Sequence, residues 1–102
     1  METKSFNEII QSNQPVVIDF YAPWCGPCKA MTPILETLKS KLGEQVKVIK
    51  IDVDENPDIA VELEIRSVPT LMIYQNGEKK WKKVGLSSVD EMLGVINNLN
   101  QN

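Results

Sequence analysis

The sequence predicts an α/β protein in which a β-sheet is sandwiched between helices. Three observations lead to this prediction. A continuous apolar run at residues 15–22 is typical of a strand buried on both faces, and a second strand is predicted over Val46–Val53. Segments with apolar residues at helical spacing precede, separate and follow these strands. A hairpin pattern near residues 70–84 adds two more strands, so the predicted order is αβαβαββα.

The N-terminal third begins with a short helix, for which Ser5 or Asn7 is the predicted N-cap. The strand "PVVIDFYA" follows, and a single charge, Asp19, interrupts it. A longer helix is then predicted up to Leu42, with Gly43 as its C-terminal stop. Its apolar stripe consists of Met31, Ile34, Leu35, Leu38 and Leu42.

The C-terminal half is predicted to contain shorter elements. Asn56 and Pro57 are typical of the N-cap and first position of a short helix. Asn76-Gly77 suits a type I′ turn between the strands of the hairpin. A last helix is predicted to start at Ser87 or Ser88. Trp81 is interpreted as sheet packing, and the four lysines around it, at positions 79, 80, 82 and 83, as protection of an edge strand.

Composition narrows the class of protein. With 102 residues, 42% hydrophobic and 25% charged, the chain is expected to form a single domain over 1–102. A net charge of −3 argues against nucleic-acid binding. No signal peptide or membrane-spanning run is visible, so a cytoplasmic location without membrane association is expected.

The segment "FYAPWCGPCKAMTP" contains the only two cysteines, Cys25 and Cys28. Three interpretations compete. A structural zinc site needs about four Cys or His ligands, and the chain has no histidine, so another chain would have to complete it. A structural disulfide between them would close a very small loop and remove little chain entropy. The third interpretation is a dithiol that cycles between oxidised and reduced forms.

The predicted local structure favours the redox interpretation. Cys25 is expected at the N-terminus of the long helix, where unpaired N–H groups and the helix dipole stabilise a thiolate. Cys28, one turn inside, is expected to be less exposed. Gly26 and Pro27 suit a tight approach and the geometry of a first helical turn. Cys25 would then attack a disulfide, and Cys28 would resolve the mixed disulfide.

Six segments in order, "VVIDFYAP", "WCGPCK", "KIDVDENP", "IRSVPT", "NGE" and "KVG", closely resemble the thioredoxin family, over about Phe6 to Leu99. The resemblance implies the thioredoxin fold, here with a central mixed four-stranded sheet flanked by helices on both faces. It also implies a general protein-disulfide reductase that is re-reduced by a thioredoxin reductase drawing on NADPH. No cofactor or metal is expected to be bound, because the Cys25–Cys28 pair carries the electrons. Disulfide-containing proteins are the implied clients.

The resemblance also assigns residues around the cysteines. Asp19 matches a buried aspartate that exchanges protons with the resolving cysteine, and Lys50 matches the lysine beside it. Val68-Pro69 matches a cis-proline turn that faces the cysteines and pairs its backbone with an extended substrate. The matched docking surface comprises Trp24, Val53, Ser67, Val68, Pro69, Val84, Gly85 and Leu86.

Asp19 leads to a hypothesis about stability. A carboxylate buried in an apolar strand is costly and has a raised pKa, so Asp19 is expected to limit stability at neutral pH.

Several features depart from the family pattern. Too few residues precede Phe6 for the family's first strand, which leaves one side of Val46–Val53 unpaired. We expect a monomer, with weak self-association through this edge as a hypothesis. Tyr21 stands where a tryptophan is frequent, and Leu86 where a smaller residue is usual. Glu64 replaces a residue that is often Gly or Asn at a helix end, so that turn is expected to be strained or differently capped.

Two alternative functions remain open at this point. The same fold hosts disulfide oxidases and isomerases, although Gly26-Pro27 between the cysteines is the reductase-like choice. A binding or assembly subunit, in which the thiols have no role, is the alternative outside the enzymes. The native substrates and the dedicated reductase do not follow from the sequence.

Overall fold

The computed structural model describes residues 2–100, and within them the elements follow the predicted order. The single domain expected over 1–102 stays a prediction, and residues 1, 101 and 102 lie outside the described part. A short 3-10 helix, Gly43–Gln45, follows the second α-helix. The helices and strands are α1 (Thr3–Ile9), β1 (Val16–Tyr21), α2 (Gly26–Leu42), β2 (Lys47–Asp52), α3 (Pro57–Glu62), β3 (Thr70–Gln75), β4 (Glu78–Val84) and α4 (Val89–Leu99).

The four strands form one mixed sheet in the order β2-β1-β3-β4. β1 runs parallel to β2 and antiparallel to β3, and β3 runs antiparallel to β4. Asp19 therefore has Lys50 as its neighbour on one side and Leu71 on the other. The predicted four-stranded sheet is confirmed, with β1 in its interior and β2 at one edge.

Helices cover both faces of the sheet, and β1 supplies side chains to both. Alternate residues from Val16 to Phe20 pack in a cluster with residues of α1 and α3. Val17 packs in a second cluster with residues of α2 and α4. Because successive side chains of a strand point to opposite faces, Asp19 points to the same side as Val17, toward α2. The continuous apolar run in β1 is thus explained by burial on both faces.

The N-cap predictions for α4 and α1 have different outcomes. Ser88 caps α4 as predicted, since its Oγ accepts the N–H of Glu91 at 3.1 Å. The predicted cap of α1 at Ser5 or Asn7 is wrong, because Glu2 holds the N-cap position. The N–H of Phe6 donates to the carbonyl of Glu2 at 3.0 Å, so the helix begins before either candidate.

Left-handed backbone occurs at two of the predicted turns. Asn76 and Gly77 have φ of 53° and 81°, as the hairpin turn requires. Glu64 has φ of 57° directly after α3, where the N–H groups of Glu64 and Ile65 donate to the carbonyls of Val61 and Ala60. This pair of hydrogen bonds is a Schellman motif, and a residue with a Cβ at its left-handed position is strained. The expected strain at Glu64 is confirmed.

Candidate active site

The site forms where β1 passes into α2. Cys25 is the N-cap of α2, with φ of −87° and ψ of 112°, and its Sγ accepts the N–H of Cys28 at 3.1 Å. Pro27 lies in the first turn, where a missing N–H costs nothing. A Cβ built at Gly26 would meet no atom within 4 Å, so no contact inside this chain requires glycine there. Among the described residues, no tight approach at Gly26 is seen.

Cys25 and Cys28 are joined by a disulfide. Both residues are only 4% exposed, so the expected difference in exposure is wrong for this oxidised form. The Sγ of Cys25 lies against the first turn of α2, and Ala22 packs with both cysteines. What distinguishes the two sulfurs is position, because Cys25 lies at the helix end and Cys28 one turn inside.

The turn before β3 lies against the disulfide. The Val68–Pro69 peptide bond is cis, and the Sγ of Cys25 lies 3.6 Å from the carbonyl oxygen of Val68. The N–H of Gly85 donates to the carbonyl of Pro69 at 2.8 Å, which ties the end of β4 to this turn. The backbone carbonyl of the half-buried Val68, just before β3, thus lies beside the sulfur that is predicted to react.

Asp19 is the buried charge of the site. It is 0% exposed, and neither carboxylate oxygen has a hydrogen-bond partner among the described residues. Burial raises the pKa of this carboxyl from 3.8 to about 6, against an opposing effect of the Lys50 ammonium. A carboxyl group with a pKa near neutrality, on the α2 side of the sheet, suits proton exchange with a thiol.

Lys50 lies beside Asp19 in the parallel register, but its ammonium does not contact the carboxylate. Instead Nζ donates to Oγ1 of Thr32 at 3.1 Å and lies 4.9 Å from the ring centroid of Tyr21. These three side chains line a cleft of about 150 Å³ together with Cys28. Lys50 therefore acts on Asp19 through space, from the wall of a cleft that reaches the inner cysteine.

The structure brings the predicted docking residues together in two neighbouring groups. Trp24, Val53, Ser67 and Val68 line a cavity of about 110 Å³. The hydrogen bond from Gly85 to Pro69 places Val84, Gly85 and Leu86 next to the same turn. Trp24, Val84 and Leu86 are 72%, 60% and 43% exposed, unusually high for large apolar side chains. We refer to these eight residues as the docking surface.

Two polar residues of the site were missed at the sequence level. Asp54 accepts the indole N–H of Trp24 at 2.9 Å, across 30 residues of sequence, and so orients the most exposed ring. Thr32 holds Lys50. Its position, one helical turn after Cys28, was a usable signal, because residues four apart share a helix face.

Within residues 2–100, no group of three or more His, Cys, Asp or Glu side chains could hold a metal ion. Over the same residues, no helix combines the length and apolar character that a bilayer span requires.

Comparison with known proteins agrees with this geometry. The thioredoxin family model matches residues 1–98. A thioredoxin from Rickettsia felis (strain ATCC VR-1525 / URRWXCal2) is 48% identical over 90 residues, which cover 88% of this chain and 86% of that protein.

Solved structures give the same result. Mitochondrial thioredoxin 3 from Saccharomyces cerevisiae, in its oxidised form, is 39% identical with a TM-score of 0.82 over 92% of this chain and 88% of its own. A mutant thioredoxin from Halobacterium salinarum NRC-1 is 35% identical with a TM-score of 0.87, covering 100% of this chain and 88% of its own.

Proposed function

This chain belongs to the thioredoxin family and is a thiol-disulfide oxidoreductase, and from that premise we propose that it is a general protein-disulfide reductase. The observation that carries the proposal is the place of Cys25, the N-cap of α2, whose sulfur accepts a backbone N–H. On reduction the same N–H group and the positive end of the helix stabilise a thiolate, the nucleophile of disulfide exchange. The reduced Cys25–Cys28 dithiol carries the two electrons, with no bound cofactor.

In the first step the Cys25 thiolate attacks one sulfur of a client disulfide. A Cys25–client bond forms, the client S–S bond breaks, and the departing client sulfur leaves as a thiolate that takes a proton. The client is held as an extended segment that pairs with the backbone at Val68, beside Cys25. The docking surface supplies apolar contact, with little demand on client sequence.

In the second step Cys28 resolves the mixed disulfide. Asp19 accepts the proton of Cys28, and the resulting thiolate attacks the Sγ of Cys25. The Cys25–Cys28 bond forms, the Cys25–client bond breaks, and the second client sulfur leaves and is protonated. The client gains two electrons and two protons, and the chain is left in the oxidised form shown by the structure.

A return of two electrons closes the cycle. We assign this to a thioredoxin reductase that oxidises NADPH, with the docking surface as its contact site. A reductase needs a compartment in which dithiols stay reduced, and we propose the cytoplasm.

The test is reduction of insulin disulfides by NADPH and a thioredoxin reductase. Cys25→Ser is expected to abolish turnover, and Cys28→Ser to accumulate a mixed disulfide at Cys25 that a thiol reagent releases. Ser40→Ala, an exposed change on the same helix, is the matched control and should keep full activity. Turnover that survives Cys25→Ser would refute the mechanism.

Two further measurements separate the alternative functions. A redox potential near that of the strong oxidant DsbA, about −120 mV, would indicate an oxidase instead. A binding or assembly subunit would keep its biological function after both cysteines are changed to serine, whereas a reductase would lose it.

A further inference from the structure

The Lys50 ammonium donates to one hydroxyl group, and Lys50 is the neighbour of Asp19 in the register of β1 and β2. Lys50 is an exposed residue on the edge strand β2, and a side chain of this kind has several rotamers that extend into water. In the structure its Nζ is instead held by Oγ1 of Thr32 at 3.1 Å and lies over the ring of Tyr21. Thr32 is half-buried and belongs to α2, one turn after Cys28.

The hydrogen bond between Lys50 and Thr32 lies where two cavities meet. Both residues line the 150 Å³ cleft that includes Cys28, and both line a larger groove of about 510 Å³ between α2 and β2. The ammonium can therefore turn toward the cleft and Asp19 or outward along the groove. In the position held by Thr32, the charge of Lys50 opposes the rise in the pKa of the buried Asp19 carboxyl.

We propose that Thr32 is a positioning residue, whose hydroxyl keeps the Lys50 ammonium at the cleft and thereby sets the pH range in which Asp19 can take the proton of Cys28. The inference rests on the proposed function for the proton transfer. The placement of Lys50 does not depend on that function.

The direction of the effect follows from the surrounding charges. The charged or titratable neighbours of the Asp19–Lys50 pair are Cys28, Lys29, Glu36 and Lys39 from α2, Tyr21 from β1 and Asp52 from β2. The remaining neighbouring elements contribute Leu71 from β3 and Met92 and Ile96 from α4, which carry no charge.

Glu36 lines the outer groove one turn beyond Thr32, and no ion pair joins it to Lys50. If the hydroxyl is removed, Glu36 and water draw the ammonium outward. Asp19 then loses a stabilising charge, and its carboxyl group keeps its proton to higher pH.

The first experiment measures the titration of the Asp19 carboxyl by carbon NMR, in the oxidised protein so that no thiol titrates. Thr32→Val, which keeps the shape of the side chain, is expected to raise the titration midpoint by roughly half a pH unit. Thr32→Ser, which keeps the hydroxyl, should restore the wild-type midpoint. In a Lys50→Met background the Thr32→Val change should have no further effect.

An unchanged midpoint in Thr32→Val would overturn the proposal. A lowered midpoint would also overturn it, because Lys50 would then have moved onto the carboxylate when released. A shift of the same size in the Lys50→Met background would show that Thr32 acts on Asp19 without Lys50, and it too would overturn the proposal.

The second experiment measures the pH dependence of insulin reduction. In Thr32→Val the rising limb that reports proton transfer to Asp19 should move to higher pH together with the NMR midpoint. A midpoint that moves while the rate profile stays fixed would support the placement of Lys50 and contradict the proton route of the proposed function. The placement of Lys50 by Thr32 and the proton transfer from Cys28 to Asp19 can therefore be refuted separately.

Discussion

At the scale of single residues, Asp19 combines a cost to the fold with a chemical use. Its carboxyl group is fully buried and its oxygens have no hydrogen-bond partner in the described structure. Burying an ionised group in this way is unfavourable, and the raised pKa of about 6 expresses that cost. The same environment makes the group a useful proton acceptor near neutral pH.

Stability should consequently fall as the pH rises past the acidic range. Below about pH 4 the carboxyl is protonated in both the folded and the unfolded chain, and its favourable effect on folding is fully present. Between pH 4 and pH 6 the unfolded chain releases the proton first, because the folded pKa is the higher one. Above about pH 6 the loss reaches about 3 kcal/mol, from a pKa that moves from 3.8 to about 6.

Asp19→Asn should remove this pH dependence. We expect urea unfolding of the oxidised variant to show little change between pH 4 and pH 8 from this site, and higher stability than wild type at pH 7. Disulfide reduction by the variant should be slower, because Cys28 loses its proton acceptor. Asp58→Asn, at an exposed position, is the control and should leave the wild-type pH dependence in place. An Asn variant less stable than wild type at pH 7 would contradict the hypothesis.

At the scale of secondary-structure elements, the end of α3 is a strained junction. Glu64 occupies the left-handed position of a Schellman motif, where glycine is the usual residue. Its side chain is exposed and its ion pair with Arg66, at 3.7 Å, lies in water, so little is gained in return. The hydrogen bonds of the motif to Val61 and Ala60 hold the backbone in this conformation.

Glu64→Gly should therefore stabilise the protein. The strain energy relieved at the left-handed position exceeds the entropic cost of ordering a glycine. We therefore expect a gain of roughly 0.5–1 kcal/mol in the free energy of unfolding. Glu64→Ala removes the same carboxylate but keeps the Cβ, so it isolates the backbone effect and should give no comparable gain. Denaturant unfolding of wild type, Glu64→Gly and Glu64→Ala at one pH measures the change in the free energy of unfolding for each variant. Equal stability of the Gly and Ala variants would show that the backbone is not strained there.

The order and type of the elements could be predicted from the sequence because periodicity and turn residues are local. The cap of α1 could not, since Ser5 and Asn7 are both good caps and the packing of Phe6, 3% exposed, outweighs a cap worth about 1 kcal/mol. At the site, the cysteine pair and Asp19 were visible in the sequence. The position of Thr32 on the helix face of Cys28 was visible too, but its contact with Lys50 was not, because a long side chain can reach several neighbours that only the folded chain brings together.

At the scale of the whole molecule, one sheet separates two apolar cores, and β2 forms one of its open edges. The N–H of Lys47 donates inward to the carbonyl of Pro15 at 3.0 Å. Because N–H groups alternate in direction along a parallel strand, those of Val48 and Lys50 point outward. Lysines at positions 47 and 50 protect this edge only in part.

We expect a monomer that associates weakly through β2 at high protein concentration. Sedimentation velocity over a concentration series should show a small rise in the weight-average mass. Val48→Pro removes an outward N–H at a position where an edge strand tolerates proline, and should abolish the rise. Val48→Thr keeps the N–H and should retain it. A wild-type protein that stays monomeric at the highest concentration reached would dispose of the idea.

The hydrogen bond from the Cys28 amide to the sulfur of Cys25 has one more consequence. A thiolate is a stronger acceptor than a disulfide sulfur, because it carries a full charge. The exchange of this amide with solvent deuterium should accordingly slow when the protein is reduced and quicken when it is oxidised. The exchange rate of this one amide proton therefore distinguishes the reduced from the oxidised protein. It can be measured without any added dye or partner protein.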